Sequence, residues 1–315
     1  MNIIRKNASC MEEYVKIVGD FVSERKGKNM IFYSRGESED FGETSLYPSI
    51  YRDGLLKNEH KLYRELIRFN EKDFEHDKTT IDCLCRMQHS ICPTRMLDLS
   101  EDCFTSLYFA LEYKKPDKEA FIYIFPIPTD KVRYYDSDTA TVLANLVKLP
   151  LQKDGSRNLY GDKSKTHLVQ IAKDIIEKGM DTEEYNKKLN FLLHEIREDK
   201  PYMQPYINLG DIFSVQCVKT RLNNDRILRQ KGAFLLFGLN IKDVEKPISL
   251  YEDYDKPNYW RDEYEWQGTP IKEMLKIRIE NTMSLENIEN LGISKPSIYP
   301  DMEKVGEYFK KKYGG

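Results

Sequence analysis

Apolar positions along the chain alternate between a helical and a strand-like period. Met11, Tyr14, Val15, Val18, Phe21 and Val22 recur at helical spacing and predict an amphipathic helix over 11–26, ended by Gly27. Met30 to Tyr33 then reads as a short buried strand, running directly into Ser34, Arg35, Gly36 and Glu37. Residues 46–52 are irregular, with apolar side chains that anchor a loop. A helix is expected over 58–75, capped by Asn58 with Leu62, Leu66 and Phe69 as its stripe, and a second over 80–90. Pro93 biases its neighbour away from helix, so 94–99 is expected to be extended. A helix should open at Ser100, with Leu107, Tyr108, Ala110 and Leu111 on its apolar face.

The second half continues in the same manner. The aromatic run 120–125 predicts a central strand, and 139–149 a short apolar helix. Residues 163–197 hold two helical segments broken around Gly179 and Asp181. Residues 213–219 and 233–237 read as strands on either side of a polar loop and helical turn. A strand within 270–280, a helix over 285–291 capped by Ser284, and a last helix over 303–313 close the chain. Helices and strands mixed in this way, without a repeat or low-complexity linker, predict an α+β fold: a mixed central sheet with flanking helices. We read 1–315 as one domain: an N-terminal helix over 11–26, a motif-bearing core over 28–240, and a C-terminal strand and helix extension over 241–315.

Composition narrows the function. With 40% apolar residues, the 315-residue chain can build a sizeable core. A net charge of −3, from 49 basic and 52 acidic side chains, gives no global attraction to nucleic acid. No segment approaches the roughly 20 apolar residues that span a bilayer. No apolar stretch of signal-peptide length precedes the first charges, so a cytoplasmic protein is expected. Six cysteines, at 10, 83, 85, 92, 103 and 217, lack the paired spacing of zinc sites and read as free thiols; no metal is expected.

Candidate chemistry gathers at three stations. Arg35 follows a buried strand with flexible Gly36 beside it, which suits bidentate binding of a phosphate or carboxylate. The alternative is a salt bridge to Glu37 or Asp98. Gln88, His89, Thr94, Arg95, Asp98 and Ser100 form a polar cluster around a strand-to-helix junction, where backbone N–H groups favour an anion. There, too, Arg95 and Asp98 pairing within a buried turn is the competing account, and His89 reads more readily as a core histidine bonding backbone. Gln230, near Arg226 at the mouth of the last core strand, is a ligand contact or a satisfied bend.

These motifs resemble the FRG-domain family, named for a Phe-Arg-Gly triplet. Ser34-Arg35-Gly36 stands at the triplet. Leu46-Tyr47-Pro48-Ser49-Ile50 is similar to the family's Leu-x-Pro-Ser segment. Gln88-His89 through Pro93-Thr94-Arg95-Met96-Leu97-Asp98 resembles its Gln-His-x-x-x-Pro-Thr-Arg-Leu-Leu-Asp block, and Leu107-Tyr108-Phe109-Ala110 its Leu-Tyr-Phe-Ala helix. Asn224-Asp225-Arg226-Ile227 with Gln230-Lys231-Gly232-Ala233-Phe234, and Leu291-Gly292-Ile293 with Tyr299-Pro300-Asp301, resemble later segments of the family. The order of stations is also similar to that of ADP-ribosyltransferases, with an Arg at a first strand's end, a Ser-bearing strand leading into a helix, and a Glu or Gln at a later strand.

That second resemblance implies an ADP-ribosyltransferase-like fold and NAD as substrate. Arg35, Gln230 and Glu37 would be catalytic. Gln88, His89, Thr94, Arg95, Asp98, Ser100, Tyr108 and Arg226 would contact ligand, with Tyr108 or Tyr33 stacking on the nicotinamide. Gln230 stands where a carboxylate is needed, so Glu37 or Asp98 would have to supply the charge. The implied activity is NAD-dependent ADP-ribosyl transfer or NAD glycohydrolysis, by an effector of bacterial toxin or phage-defence type acting on a protein target. Two alternatives stay open: a non-catalytic module that binds a nucleotide or phosphorylated small molecule, and a nucleic-acid-binding protein using the basic loop 221–231, against which the overall charge argues.

Overall fold

The computed structural model describes residues 1–152, 163–178, 182–222, 225–251 and 268–314. The fold is α+β, built on one mixed eight-stranded sheet in the order β1-β8-β4-β2-β3-β7-β6-β5. The strands are β1 (Asn2–Ala8), β2 (Met30–Glu37), β3 (Met96–Ser100), β4 (Ala120–Pro128), β5 (Val132–Tyr134), β6 (Val215–Lys219), β7 (Gly232–Phe237) and β8 (Glu273–Ile279). β1 runs parallel to β8 and β5 parallel to β6, and the other pairings are antiparallel.

The sheet is nearly two sheets. β2 pairs with β4 along its whole length, from Met30 opposite Pro128 to Glu37 opposite Phe121. On its other side β2 meets β3 at one bridge only, Ser34 opposite Ser100. Beyond that bridge the strands splay, and the chain divides into halves β1-β8-β4-β2 and β3-β7-β6-β5. Tyr33, Tyr123 and Phe125 from the first half share a core with Leu97, Leu99, Leu235 and Phe237 from the second. Strand periodicity sends alternate residues to opposite faces. The remaining faces are therefore covered separately. Ile122, Ile124 and Ile277 pack on the helices Met11–Ser23 and Cys103–Glu112. Met96, Phe234 and Leu236 pack on helices drawn from residues 80–207.

Several expectations change in detail. β1 was not expected; its outward Arg5 and Lys6 break any alternation, as suits an edge strand that must not recruit partners. The helix expected over 58–75 breaks at Asn70, whose side-chain amide donates to the Leu66 carbonyl at 2.9 Å. Asn58 makes no side-chain cap, and Phe69 is 74% exposed. Ser100 ends β3 and does not cap the next helix. Asp102 does, accepting from the Phe104 N–H at 2.9 Å. Residues 165–199 carry three helices, at Lys165–Lys178, Thr182–Lys188 and Asn190–Asp199. The break expected at Gly179 and Asp181 lies outside the described residues, as does Asn224. No helix among the described residues is long and apolar enough to cross a membrane.

One ionic cluster fixes the start of β3. Arg95 is fully buried. Its Nε and Nη2 donate to the Glu59 carboxylate at 2.9 and 2.5 Å, and its Nη1 donates to the Phe237 carbonyl at 2.9 Å. The buried Lys165 ammonium lies 2.9 Å from the same carboxylate and donates to the Leu149 carbonyl. Burial opposes charge on Glu59, yet the two cations hold its carboxyl below the usual range. Burial pushes Lys165 down to about 8, Glu59 opposing and Arg95 adding to the shift. Removing the shared anion strands two buried cations. Glu59→Gln should therefore destabilise by about 3–5 kcal/mol. Lys165→Met, which leaves the Arg95–Glu59 pair intact, should cost clearly less. Denaturant unfolding of both variants checks the order, and equal losses would contradict it.

Candidate functional site

Where β2 and β3 splay, a cavity of about 510 Å³ opens, lined by β2, β3, the end of the Thr80–His89 helix, and residues from the C-terminal part of the chain. β2 enters it through an unusually close contact. A Cβ on Gly36 would lie 1.9 Å from the Ser106 carbonyl oxygen and 2.9 Å from the Ala110 nitrogen. The strand thus lies directly on the backbone of the Cys103–Glu112 helix, and only glycine fits. Ser34, on the same face, bonds the Ser106 hydroxyl at 2.8 Å and donates to the Ser100 carbonyl at 3.1 Å. Arg35 and Glu37 alternate with these residues and so point away from the helix.

Eight of the expected site residues line this cavity: Arg35, Glu37, Gln88, His89, Asp98, Ser100, Arg226 and Gln230. Four of them, Gln88, Asp98, Arg35 and Glu37, form a continuous chain of polar contacts with Thr94 behind it. The Thr94 hydroxyl donates to Gln88 Oε1 at 2.5 Å, and Gln88 Nε2 donates to Asp98 Oδ2 at 2.7 Å. Arg35 Nη1 lies 3.8 Å from that carboxylate and donates to the Asp98 carbonyl at 3.1 Å. Arg35 Nε is 3.7 Å from Glu37 Oε1, which accepts the Leu46 N–H at 2.9 Å. Across the bridge, the Ser100 hydroxyl donates to the Gln230 carbonyl at 2.6 Å, fixing the backbone that presents this amide. The salt-bridge alternative for Arg35 therefore coexists with a place on the cavity wall.

Three expected residues are elsewhere. Arg95 belongs to the buried ionic cluster, because its guanidinium is taken up by Glu59 and the Phe237 carbonyl. Thr94 is buried behind Gln88 and acts through it. Tyr108 is buried in the core beneath the Cys103–Glu112 helix, as Tyr33 is in the core between the half-sheets, and neither offers a free ring face. The aromatic side chains on the cavity wall are instead Phe41, Phe109, Tyr113 and the buried Tyr299. Arg52 and Lys304 also line it, Arg52 with its guanidinium 5.3 Å from the Phe41 ring centre. Of these, Arg52 stands beside the Pro-Ser segment and Tyr299 within the Tyr-Pro-Asp stretch that resembles the family, whereas Lys304 carries no local signal that would place it here.

Charge and satisfaction distinguish this cavity from packed interior. The wall carries four cations, Arg35, Arg52, Arg226 and Lys304, against two carboxylates, Glu37 and Asp98. Buried polar atoms are ordinarily paired. Five on this wall have no hydrogen-bond partner: Arg35 Nε, Arg52 Nε, Glu37 Oε2, His89 Nε2 and Gln230 Nε2. Glu37 is 3% exposed, so one carboxylate oxygen is both desolvated and open. His89 is pushed down to about 4, chiefly by burial, with Asp98 opposing and Arg226 and Arg86 adding to the shift. Its ring is neutral at pH 7. Ile91, on the rim, adopts φ 62°, an uncommon backbone for a β-branched residue.

Two outcomes follow. Gly36→Ala should destabilise by about 2–3 kcal/mol, as the strand is forced off the helix; an unchanged melting temperature would refute the close contact. The depressed His89 means that the unfolded chain binds a proton between pH 6.5 and about 4 that the folded chain does not. Stability should thus fall as pH drops through that window. His60, also pushed down to about 4 and chiefly by burial, contributes in the same sense. Urea unfolding at pH 7 and 4.5 should show a smaller difference for His89→Gln than for the parent.

No curated protein and no solved structure matches the chain. The model of the FRG domain matches residues 28–119. That range contains β2, the Leu-Tyr-Pro-Ser-Ile segment, the Gln-His to Leu-Asp block and the Leu-Tyr-Phe-Ala helix, and stops before Arg226, Gln230, Tyr299 and Lys304. Residues 28–119 of the chain thus carry an FRG domain.

Proposed function

We propose that the cavity binds a nucleotide bearing a diphosphate, NAD foremost, and cleaves its N-glycosidic bond in the manner of an ADP-ribosyltransferase or NAD glycohydrolase. The observation that carries this reading is the set of unpartnered buried atoms on one wall: guanidinium and amide donors beside a single open carboxylate oxygen. Guanidinium groups fit phosphate oxygens in a bidentate fashion, which gives Arg35 and Arg52 the role of anchors. Gln230 offers an amide to a ribose hydroxyl.

Nicotinamide departs with the bonding electron pair, and positive charge develops on the ribose. A desolvated carboxylate stabilises that charge and accepts a hydrogen bond from the adjoining hydroxyl. Glu37 supplies what Gln230 cannot. Water or a side chain of a target then bonds to the anomeric carbon and loses its proton. A second reading, a sensor that binds the nucleotide without cleaving it, is favoured by one detail: Glu37 Oε1 is already engaged by the Leu46 N–H and Arg35.

Calorimetry with NAD and an assay for released nicotinamide separate these. The parent protein should bind NAD and release nicotinamide. Arg35→Ala should weaken binding about ten- to a hundredfold through loss of charged hydrogen bonds. Glu37→Gln should retain binding and lose release. Binding with no release in the parent would establish the sensor. No binding would end the nucleotide reading.

A further inference from the structure

The C-terminal wall of the cavity is built by a segment distant in sequence from the matched domain. Lys295–Ile298 forms a single helical turn, Tyr299 follows, and the helix Met302–Tyr313 brings Lys304 to the wall. This strap is fastened at several points. The Tyr299 hydroxyl donates to Glu112 Oε2 at 2.9 Å, Arg229 Nη1 donates to the Pro296 carbonyl at 2.9 Å, and Ile298 is buried in the adjoining core. Tyr299 is 1% exposed, so its ring is a fixed post. Arg226 lies 4.9 Å from its centre and Lys304 5.0 Å. Phe109 meets it edge-on at 6.0 Å.

Two cations gathered around one ring repel each other, and the ring's negative faces offset part of that cost. Arg226 is further fixed by donating to the His89 carbonyl at 3.0 Å. Both head groups reach the cavity wall. We propose that Arg226 and Lys304, both held against the Tyr299 ring, form a second anion station, distinct from Arg35 and Arg52, which binds a phosphate group of the cavity's ligand. The inference rests on the nucleotide reading above and sharpens it. The ligand class becomes one with phosphate charge in reach of the strap as well as of β2. Lys304 is then a specificity-determining residue supplied from outside residues 28–119. Tyr299 is a positioning residue.

Lys304→Gln is the direct test, because the side chain is partly exposed and its loss leaves the strap's fastenings in place. Calorimetry at low and moderate salt would use inorganic pyrophosphate and NAD as probes, on the parent and on Lys304→Gln. The expected result is at least fivefold weaker binding of both probes by the variant, a shallower salt dependence, and an unchanged melting temperature. Pyrophosphate binding that depends on Lys304, with no NAD binding, would uphold the anion station and end the nucleotide reading. NAD binding unaffected by Lys304→Gln would overturn the station and leave the nucleotide reading intact. Absence of binding by either probe would end both.

Discussion

The contact of Gly36 with the backbone of the Cys103–Glu112 helix is the constraint on which the site depends. A strand pressed that closely to a helix cannot rotate about its own axis. The residues on either side of the glycine are committed to the opposite face, and those residues are Arg35 and Glu37. The same contact leaves β2 bound to β4 on one side while it parts from β3 on the other. A close approach, a gap and a pair of opposite charges beside the gap are thus one arrangement seen three ways. Serines reinforce it: Ser34 ties the strand to Ser106 and to β3, and Ser100 ties β3 to the carbonyl of Gln230.

Two populations of arginine illustrate how environment decides role. Arg95 and Arg35 lie at comparable points, one at the start of β3 and the other near the end of β2. Arg95 meets a buried carboxylate in bidentate geometry and a backbone carbonyl, so its donors are used up in holding the fold. Arg35 donates to the Asp98 carbonyl at 3.1 Å, but it meets the carboxylates of Glu37 and Asp98 only at 3.7 and 3.8 Å, and its Nε has no hydrogen-bond partner. Pairing distance and the count of satisfied donors separate the two.

These differences explain what could be read from the chain alone. The strands that form the two half-sheets announce themselves, because buried runs such as Ala120 to Phe125 and Ala233 to Phe237 have few other uses. Arg35, Gln88, Asp98 and Gln230 were legible as neighbours because each is a polar residue in a family-like motif beside an apolar run, and all four line the same cavity. Arg95 was misplaced because its partner Glu59 lies 36 residues earlier, on a helix whose pattern gives no hint of a buried charge. Ser100 looked like a cap because acids follow it; its hydroxyl is instead claimed by Gln230, which no local pattern records. Lys304 reaches the cavity by tertiary packing alone, and the Tyr-Pro-Asp stretch that holds Tyr299 does not say which site it joins. β1 escaped notice since half its residues face solvent and its two isoleucines are adjacent.

The pairing of β1 with β8 carries a consequence for how the molecule is made. Asn2 lies opposite Glu273 and Ala8 opposite Ile279, so β1 finds its place only against a strand 271 residues further along the chain. Ordering so long a loop costs entropy that local contacts do not repay, and such topologies fold slowly. During synthesis, β4 emerges long before β8 and must wait with one edge uncovered, since β8 is the strand that separates it from β1. Completion of the half-sheet that carries Arg35 and Glu37 therefore waits for residues 273–279, and a chain stopped short of them presents an apolar strand edge to its neighbours.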